Sequence, residues 1–407
     1  MTVATPLRTS RQAIIIVIAI AAMIMWLGIG TRQTFGLFLP VMSADLGWGR
    51  EALAFALAIQ NLLWGLAQPV AGVIADRYGS GRVIAVGGVL YGLGVMLMAQ
   101  ALTPLAMDVT AGLLVGIGLS ATSFAVVLGA VGRVVPKHRQ GLAFGIVSAG
   151  GSVGQFAMVP IAQSLLAAYG WQGAFVGLGA IALIMVPLAL GLRGRNIVSS
   201  DPAKPAFNAR AAWREAVSHR GYRLLVAGFF VCGFQVMFIA VHLPAYLTDA
   251  GFSAGIAATA LAAIGFFNIF GSFSCGMLGD RFSKKGLLSA LYLLRSIVIV
   301  AFVLAPQTPT NAIIFASAMG LMWLGTVPLT SGIVAQVFGV QYLGLLFGVV
   351  FLGHQVGSFF GVWLGGILFD ATGGYTVVWW LAAALGVAAA LIHWPIDERG
   401  LARPVPA

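Results

Sequence analysis

Gly72-Val73-Ile74-Ala75-Asp76-Arg77-Tyr78-Gly79-Ser80-Gly81-Arg82 is the stretch that decides how this chain is read. It closes one apolar run, residues 51–75, and opens another, residues 83–102. Each run reaches about 20 residues, enough for a helix to cross ~30 Å of hydrocarbon. The short charged turn between them therefore stands at a membrane surface. There Asp76 can accept from a neighbouring helix N-terminus, and Arg77 and Arg82 can pair with carboxylates on a facing surface.

The same alternation continues in both directions. Of the 407 residues, 60% are hydrophobic and 8% are charged, against about 25% charged in soluble domains. A water-exposed surface cannot be built from so few charges, which excludes a soluble enzyme and a disordered chain. The two cysteines, Cys232 and Cys275, lie in apolar runs and exclude a disulfide scaffold. Twelve spanning helices are predicted, over 13–42, 51–75, 83–102, 106–132, 139–163, 172–192, 222–247, 255–278, 286–305, 311–337, 342–368 and 375–395. The expected architecture is an all-α integral membrane protein. The first run is followed by Thr31-Arg32-Gln33-Thr34 rather than a small-residue cleavage site, so it reads as a retained helix.

The net charge of +11 is explained by placement. With both termini inside, all of the 22 Lys and Arg except Arg32, Arg50 and Arg295 fall in cytoplasmic segments. Arg50 falls in an outside loop. This positive-inside bias makes nucleic acid an unneeded partner and the lipid bilayer the expected one. The longest hydrophilic stretch, Arg193 to Arg223, divides the chain into residues 1–192, a cytoplasmic linker 193–221 with a short helix near Ala211–Val217, and residues 222–407.

The two halves repeat. Leu39-Pro40 recurs as Leu243-Pro244, Asp45 as Asp249, Gly72 as Gly276, Asp76-Arg77 as Asp280-Arg281, and Gly116 and Thr122 as Gly320 and Thr326, all at an offset of 204. Gly150, Gly154 and Gly170 recur as Gly353, Gly357 and Gly373 at an offset of 203. Six helices return the chain to its starting side. The repeats are therefore parallel, two pseudo-symmetric six-helix bundles with a cavity between them near the bilayer midplane.

The loop from Gly72 to Arg82 resembles the signature loop of the major facilitator superfamily, and Gly276 to Lys285 is a degraded copy. The resemblance covers essentially the whole chain. It implies secondary transport by rocking of two bundles, with Asp76, Arg77, Arg82, Asp280 and Arg281 as gating residues on the cytoplasmic side. Lys137-His138-Arg139-Gln140-Gly141-Leu142-Ala143-Phe144-Gly145 to Gly150 is similar to the helix 5 start of monocarboxylate carriers and oxalate/formate exchangers. Arg32 stands roughly where those carriers have a lysine. Two features depart from that branch. Asn268 and Ser272 replace a charged helix 8 pair, and the helix 11 stretch Phe347 to Phe351 lacks the exchangers' lysine, with His354 one turn further on the same face.

A mid-membrane charge costs about 2.5–3.5 kcal/mol or more and needs a partner. Arg295 lies about ten residues, roughly 15 Å, into its span, and no acidic residue lies in the interior of any predicted span. Its counter-charge is therefore expected to be a bound carboxylate, which guanidinium matches in bidentate geometry, or else backbone carbonyls and Asn268. Arg32 is read either as a second cationic contact in the cavity or as an interface residue. Histidine as a side chain titrates near physiological pH, so His242 and His354 are candidates to carry a proton. Gln235 shares a helix face with His242. Asn61 is a further candidate contact, with helix–helix packing as its alternative. No metal or nucleophile constellation is found, and no cofactor is required.

The function expected is that of an inner-membrane secondary transporter of small organic anions, monocarboxylates first, proton-coupled and monomeric. An exporter of neutral or lipophilic compounds and an organic anion exchanger are the alternatives.

Overall fold

The computed structural model describes residues 11–136, 139–192, 209–339 and 342–400. Eleven helical segments are long and apolar enough to cross a membrane. One of them, Ala143–Leu192, is divided at Gly170, where φ is +68°. Only glycine takes that conformation readily, so the run becomes two spans and the total twelve. The spans are α1 Arg11–Gln33, α2 Arg50–Tyr78, α3 Ser80–Met98, α4 Pro104–Val134, α5 140–169, α6 171–192, α7 Arg220–Asp249, α8 Ala254–Arg281, α9 Lys284–Leu304, α10 Pro309–Phe338, α11 Leu343–Thr372 and α12 Thr376–His393. A short helix, Ala209–Ser218, precedes α7. The predicted linker residues 193–208 lie outside the described residues.

The first helix ends earlier than the apolar run suggests. It gives way at Thr34 to a single turn, Phe35–Leu37, and a short helix, Leu39–Leu46. Pro40 has no N–H with which to continue α1. Gly36 is backed onto α7, where a Cβ would stand 2.8 Å from the Val241 carbonyl oxygen.

The sequence repeat has a packing cause. Gly150 and Gly154 of α5 lie against the backbone of Ala22 and Trp26 of α1, and Gly353 and Gly357 of α11 lie against Val226 and Phe230 of α7. Partner and glycine recur together. Small residues let backbones approach closely where lipid offers no hydrophobic drive to pack. The two halves meet along α2 with α11 and along α5 with α8. There Gly65 abuts Gln355, and Gly265 abuts Gln155.

Helices α4 and α10 are both broken. Ser123 interrupts α4 at φ −112° and ψ −164°. In α10, Met322 ends one piece and Thr326 begins the next. Pro328 lies in the first turn of that second piece, where a missing N–H is tolerated, and it cannot bond back across the break. Thr122 and Thr326, matched in the repeat, flank the two breaks.

Contacts between the halves are unevenly spread along the membrane normal. At the end opposite the basic loops they are dense: Arg50, Glu51 and Phe55 of α2 reach Asp249, Asp370, Trp363 and Phe359 of the second half. At the basic end, the polar contacts of Arg133, Lys284 and Lys285 each stay within one half. Arg133 bonds Asp76 and Ser80, Lys284 bonds Gln336, and the Lys285 N–H meets Glu398. Among the described residues, the charged contacts that join the halves gather at the far end.

Candidate substrate site and far-end latch

Arg32, in the last turn of α1, is 6% exposed and lies between the halves. Its guanidinium donates to the Asn61 side-chain oxygen on α2 and meets the Met237 sulfur on α7 at 3.1 Å. It sits 5.0 Å from the centre of the Trp64 ring, a cation–π distance. Trp64 is held by a 2.7 Å bond from its Nε1 to Ser123, the residue at the break in α4, and by edge contact with Phe351 of α11. Asn61 is fixed in turn by its own Nδ2, which donates to the Leu57 carbonyl at 2.7 Å. Among the described residues Arg32 forms no ion pair, and its Nε is buried without a partner. A guanidinium with a free donor and no carboxylate partner has the chemistry to take an anion.

Arg295 is equally buried but differently employed. It is 0% exposed. Its Nε donates to the Met322 carbonyl at 3.1 Å, and Nη2 donates to the carbonyls of Met322 and Trp323, the latter at 2.5 Å. These carbonyls are freed by the break in α10. Asn268 serves the same break, accepting from the Leu324 N–H at 3.1 Å, and its Nδ2 donates to Ser152 of the other half at 3.0 Å. Of the two partner sets open to Arg295, a carboxylate or the backbone, the structure has the backbone. It does not bring Arg295 into the Arg32 group.

The remaining predicted contacts also separate. Gln235 donates to the Ala382 carbonyl at 2.9 Å and ties α7 to α12. His354 packs parallel to Phe351 and meets the Gln355 Oε1 at 3.0 Å, next to Gly65 and so beside the Arg32–Asn61–Trp64 cluster. His242 lies at the far end. Its Nε2 faces the Val362 carbonyl at 2.8 Å and its Nδ1 faces the Tyr375 hydroxyl at 3.2 Å. Of the predicted gating residues, Asp76 pairs with Arg133 of its own half at 3.1 Å, Arg77 lies over Tyr78, and Arg82, Asp280 and Arg281 are exposed.

The latch that is closed was not singled out from the sequence. Arg50 Nη1 donates to Asp249 at 2.5 Å and to the Tyr375 hydroxyl at 2.8 Å, while Nη2 takes the second Asp249 oxygen. The guanidinium lies 3.7 Å from the centre of the Phe369 ring. Asp370 accepts the backbone N–H groups of Arg50 and Glu51 at 2.9 and 2.8 Å, so a carboxylate of one half caps a helix of the other. Glu51 accepts from Trp363 Nε1 at 3.0 Å. The sequence did carry a signal: Arg50 is the one basic residue placed in an outside loop, and Asp249 belongs to the repeat.

Twelve membrane helices in two repeat-related halves, latched at one end and holding a buried cation between them, define a transporter rather than an enzyme. The sequence model of the Major Facilitator Superfamily matches residues 14–325, and the chain belongs to that superfamily. It is similar to the MFS-type transporter YcxA of Bacillus subtilis (strain 168), with 26% identity over 85% of this chain and 86% of the relative. It is similar to human monocarboxylate transporter 11, with 27% identity over 96% and 83%. Among solved structures, a bacterial homolog of the human lysosomal transporter Spinster in an inward-facing, occupied conformation superposes with a TM-score of 0.77 at 15% identity, covering 95% of this chain and 97% of that one. A D-xylose-proton symporter superposes at 0.75, with 16% identity over 96% and 100%.

Proposed function

We propose that this protein is a secondary active transporter of small organic anions, monocarboxylates first, working by alternating access in the bacterial inner membrane. The single observation that carries the reading is Arg32, a buried guanidinium between the halves with no carboxylate partner and one unused donor. The similarity to monocarboxylate transporters over most of the chain supports the substrate class. The positive-inside bias supports a cytoplasmic basic end and cytoplasmic termini, so the latched end faces outward. Residues 1–192 and 222–407 are the two rocking bodies, joined by the linker 193–221. Asp76, Arg77, Arg82, Asp280 and Arg281 meet across the cytoplasmic end only after it closes. Symport with a proton suits a carrier that brings one buried positive charge to each monocarboxylate. His354, bonded to its neighbour Gln355 that packs on Gly65, is the coupling histidine nearest the site.

The test is uptake into proteoliposomes of radiolabelled small monocarboxylates under an inward proton gradient, in wild type and Arg32→Gln. Uptake by wild type, dependent on the gradient and abolished in the variant, is the expected result. Thermal stabilisation by hydrophobic cations but by no carboxylate would overturn the reading in favour of export of lipophilic compounds.

A further inference from the structure

We propose that His242 is a proton-binding site that controls the far-end latch, so that acid on the far side loosens Arg50 and favours opening of that end. The proposal rests on the alternating-access reading above and adds to it what moves the latch.

Hydrogen-bond chemistry fixes the directions. The Val362 carbonyl can only accept, so His242 Nε2 carries the ring proton. Nδ1 is then an acceptor, and the Tyr375 hydroxyl donates to it. Arg50 can only donate, so the Tyr375 oxygen accepts from Nη1. A single chain therefore runs from Arg50 through Tyr375 to His242, with every donor and acceptor used once. It crosses from the first half to the second at Arg50.

A second ring proton breaks this consistency. With Nδ1 protonated, the imidazole has no acceptor left. The Tyr375 oxygen then faces two donors, and its own proton loses the acceptor it had. Two cations also share one phenol oxygen at a site where the Arg50 side chain is 10% exposed and the histidine 0%. The titratable and charged groups around the ring are Tyr375 before α12, Arg50 on α2, Asp370 on α11, and Asp249 and Tyr246 on its own helix. The carboxylates of Asp249 and Asp370 are bonded to Arg50 and to the α2 N-terminus, so neither is free to neutralise the ring. His242 is pinned by Val362 and stays. Arg50 loses Tyr375 and is repelled.

The experiment measures the far-end separation directly. Spin labels at Ala44→Cys and Ala254→Cys, exposed positions on the two halves, report it by pulsed dipolar spectroscopy; the native cysteines are buried. In wild type the open fraction is expected to rise about tenfold from about pH 8 to about pH 5, the range in which histidine titrates. In His242→Gln it is expected to stay at its alkaline value. In Tyr375→Phe it is expected to be raised at both pH values with little pH response. An acid response of equal size in His242→Gln, or no response in wild type, overturns the proposal. If a transported carboxylate still shifts the distance in either of those cases, the transport reading survives. If neither acid nor any carboxylate moves it, that reading fails as well.

Discussion

Arg50→Gln should unlatch the far end. The wild-type side chain is 10% exposed, forms a two-pronged pair with Asp249 and stacks on Phe369. A hydrogen bond to a charged group contributes about 1.5–3 kcal/mol. Asp249 is 38% exposed, and screening at such exposure leaves about 1 kcal/mol for the pair. The ring contact adds roughly 0.5–1 kcal/mol. Asp370 still caps α2 in the variant, because it bonds backbone N–H groups rather than the side chain. The net loss of about 2 kcal/mol acts only on the closed far end, so the ratio of open to closed rises about 30-fold. Ala54→Cys, on α2 behind the latch and packed against Gly366, reports this. Its rate of alkylation by a membrane-impermeant maleimide, added on the far side of sealed vesicles, follows the open fraction. A rate in Arg50→Gln within about twofold of the latched protein, a difference below 0.5 kcal/mol, would refute the assignment of the latch.

Arg32→Lys should keep a charge but lose the fork that holds Asn61 while offering a second donor, so carboxylate affinity should fall about tenfold by titration, and Arg32→Gln should abolish it. Arg295→Met should act on stability instead. It strands two carbonyls at the α10 break at about 1–3 kcal/mol each, so the melting temperature should drop sharply while the affinity of the remaining folded protein is unchanged. Gly357→Ala places a Cβ 2.7 Å from the Phe230 carbonyl carbon and should cost about 1–3 kcal/mol of stability in denaturant titration, through separation of α7 from α11.

The architecture was legible because its determinants are local or periodic. Span length follows from apolar runs, the basic bias from loop charges, and the twofold repeat from glycines that pack against equivalent backbones. Gly150 on Ala22 and Gly353 on Val226 are one contact made twice. Element ends were less legible. The first predicted span ran to 42, but α1 stops at Gln33 because Pro40 and the contact of Gly36 with α7 intervene, and the second of these is a tertiary fact.

The two buried arginines show why the site was harder to read than the fold. From sequence, Arg32 and Arg295 pose one question: a charge in an apolar span without an acidic partner. The answer depends on where backbone carbonyls are left free, and no single residue type announces that. At Arg295 the carbonyls of Met322 and Trp323 are released by a helix break, and the guanidinium is consumed in closing it. Pro328, just past the break, was the available signal, because a proline early in a helical segment implies that the preceding turn cannot bond forward. At Arg32 the partners are one amide oxygen, a thioether and an indole face. Neutral groups can hold a guanidinium in place without cancelling its charge. On the proposed reading, that uncancelled charge between two halves marks a cation kept for an anion that comes and goes, and Arg295 one kept for the fold.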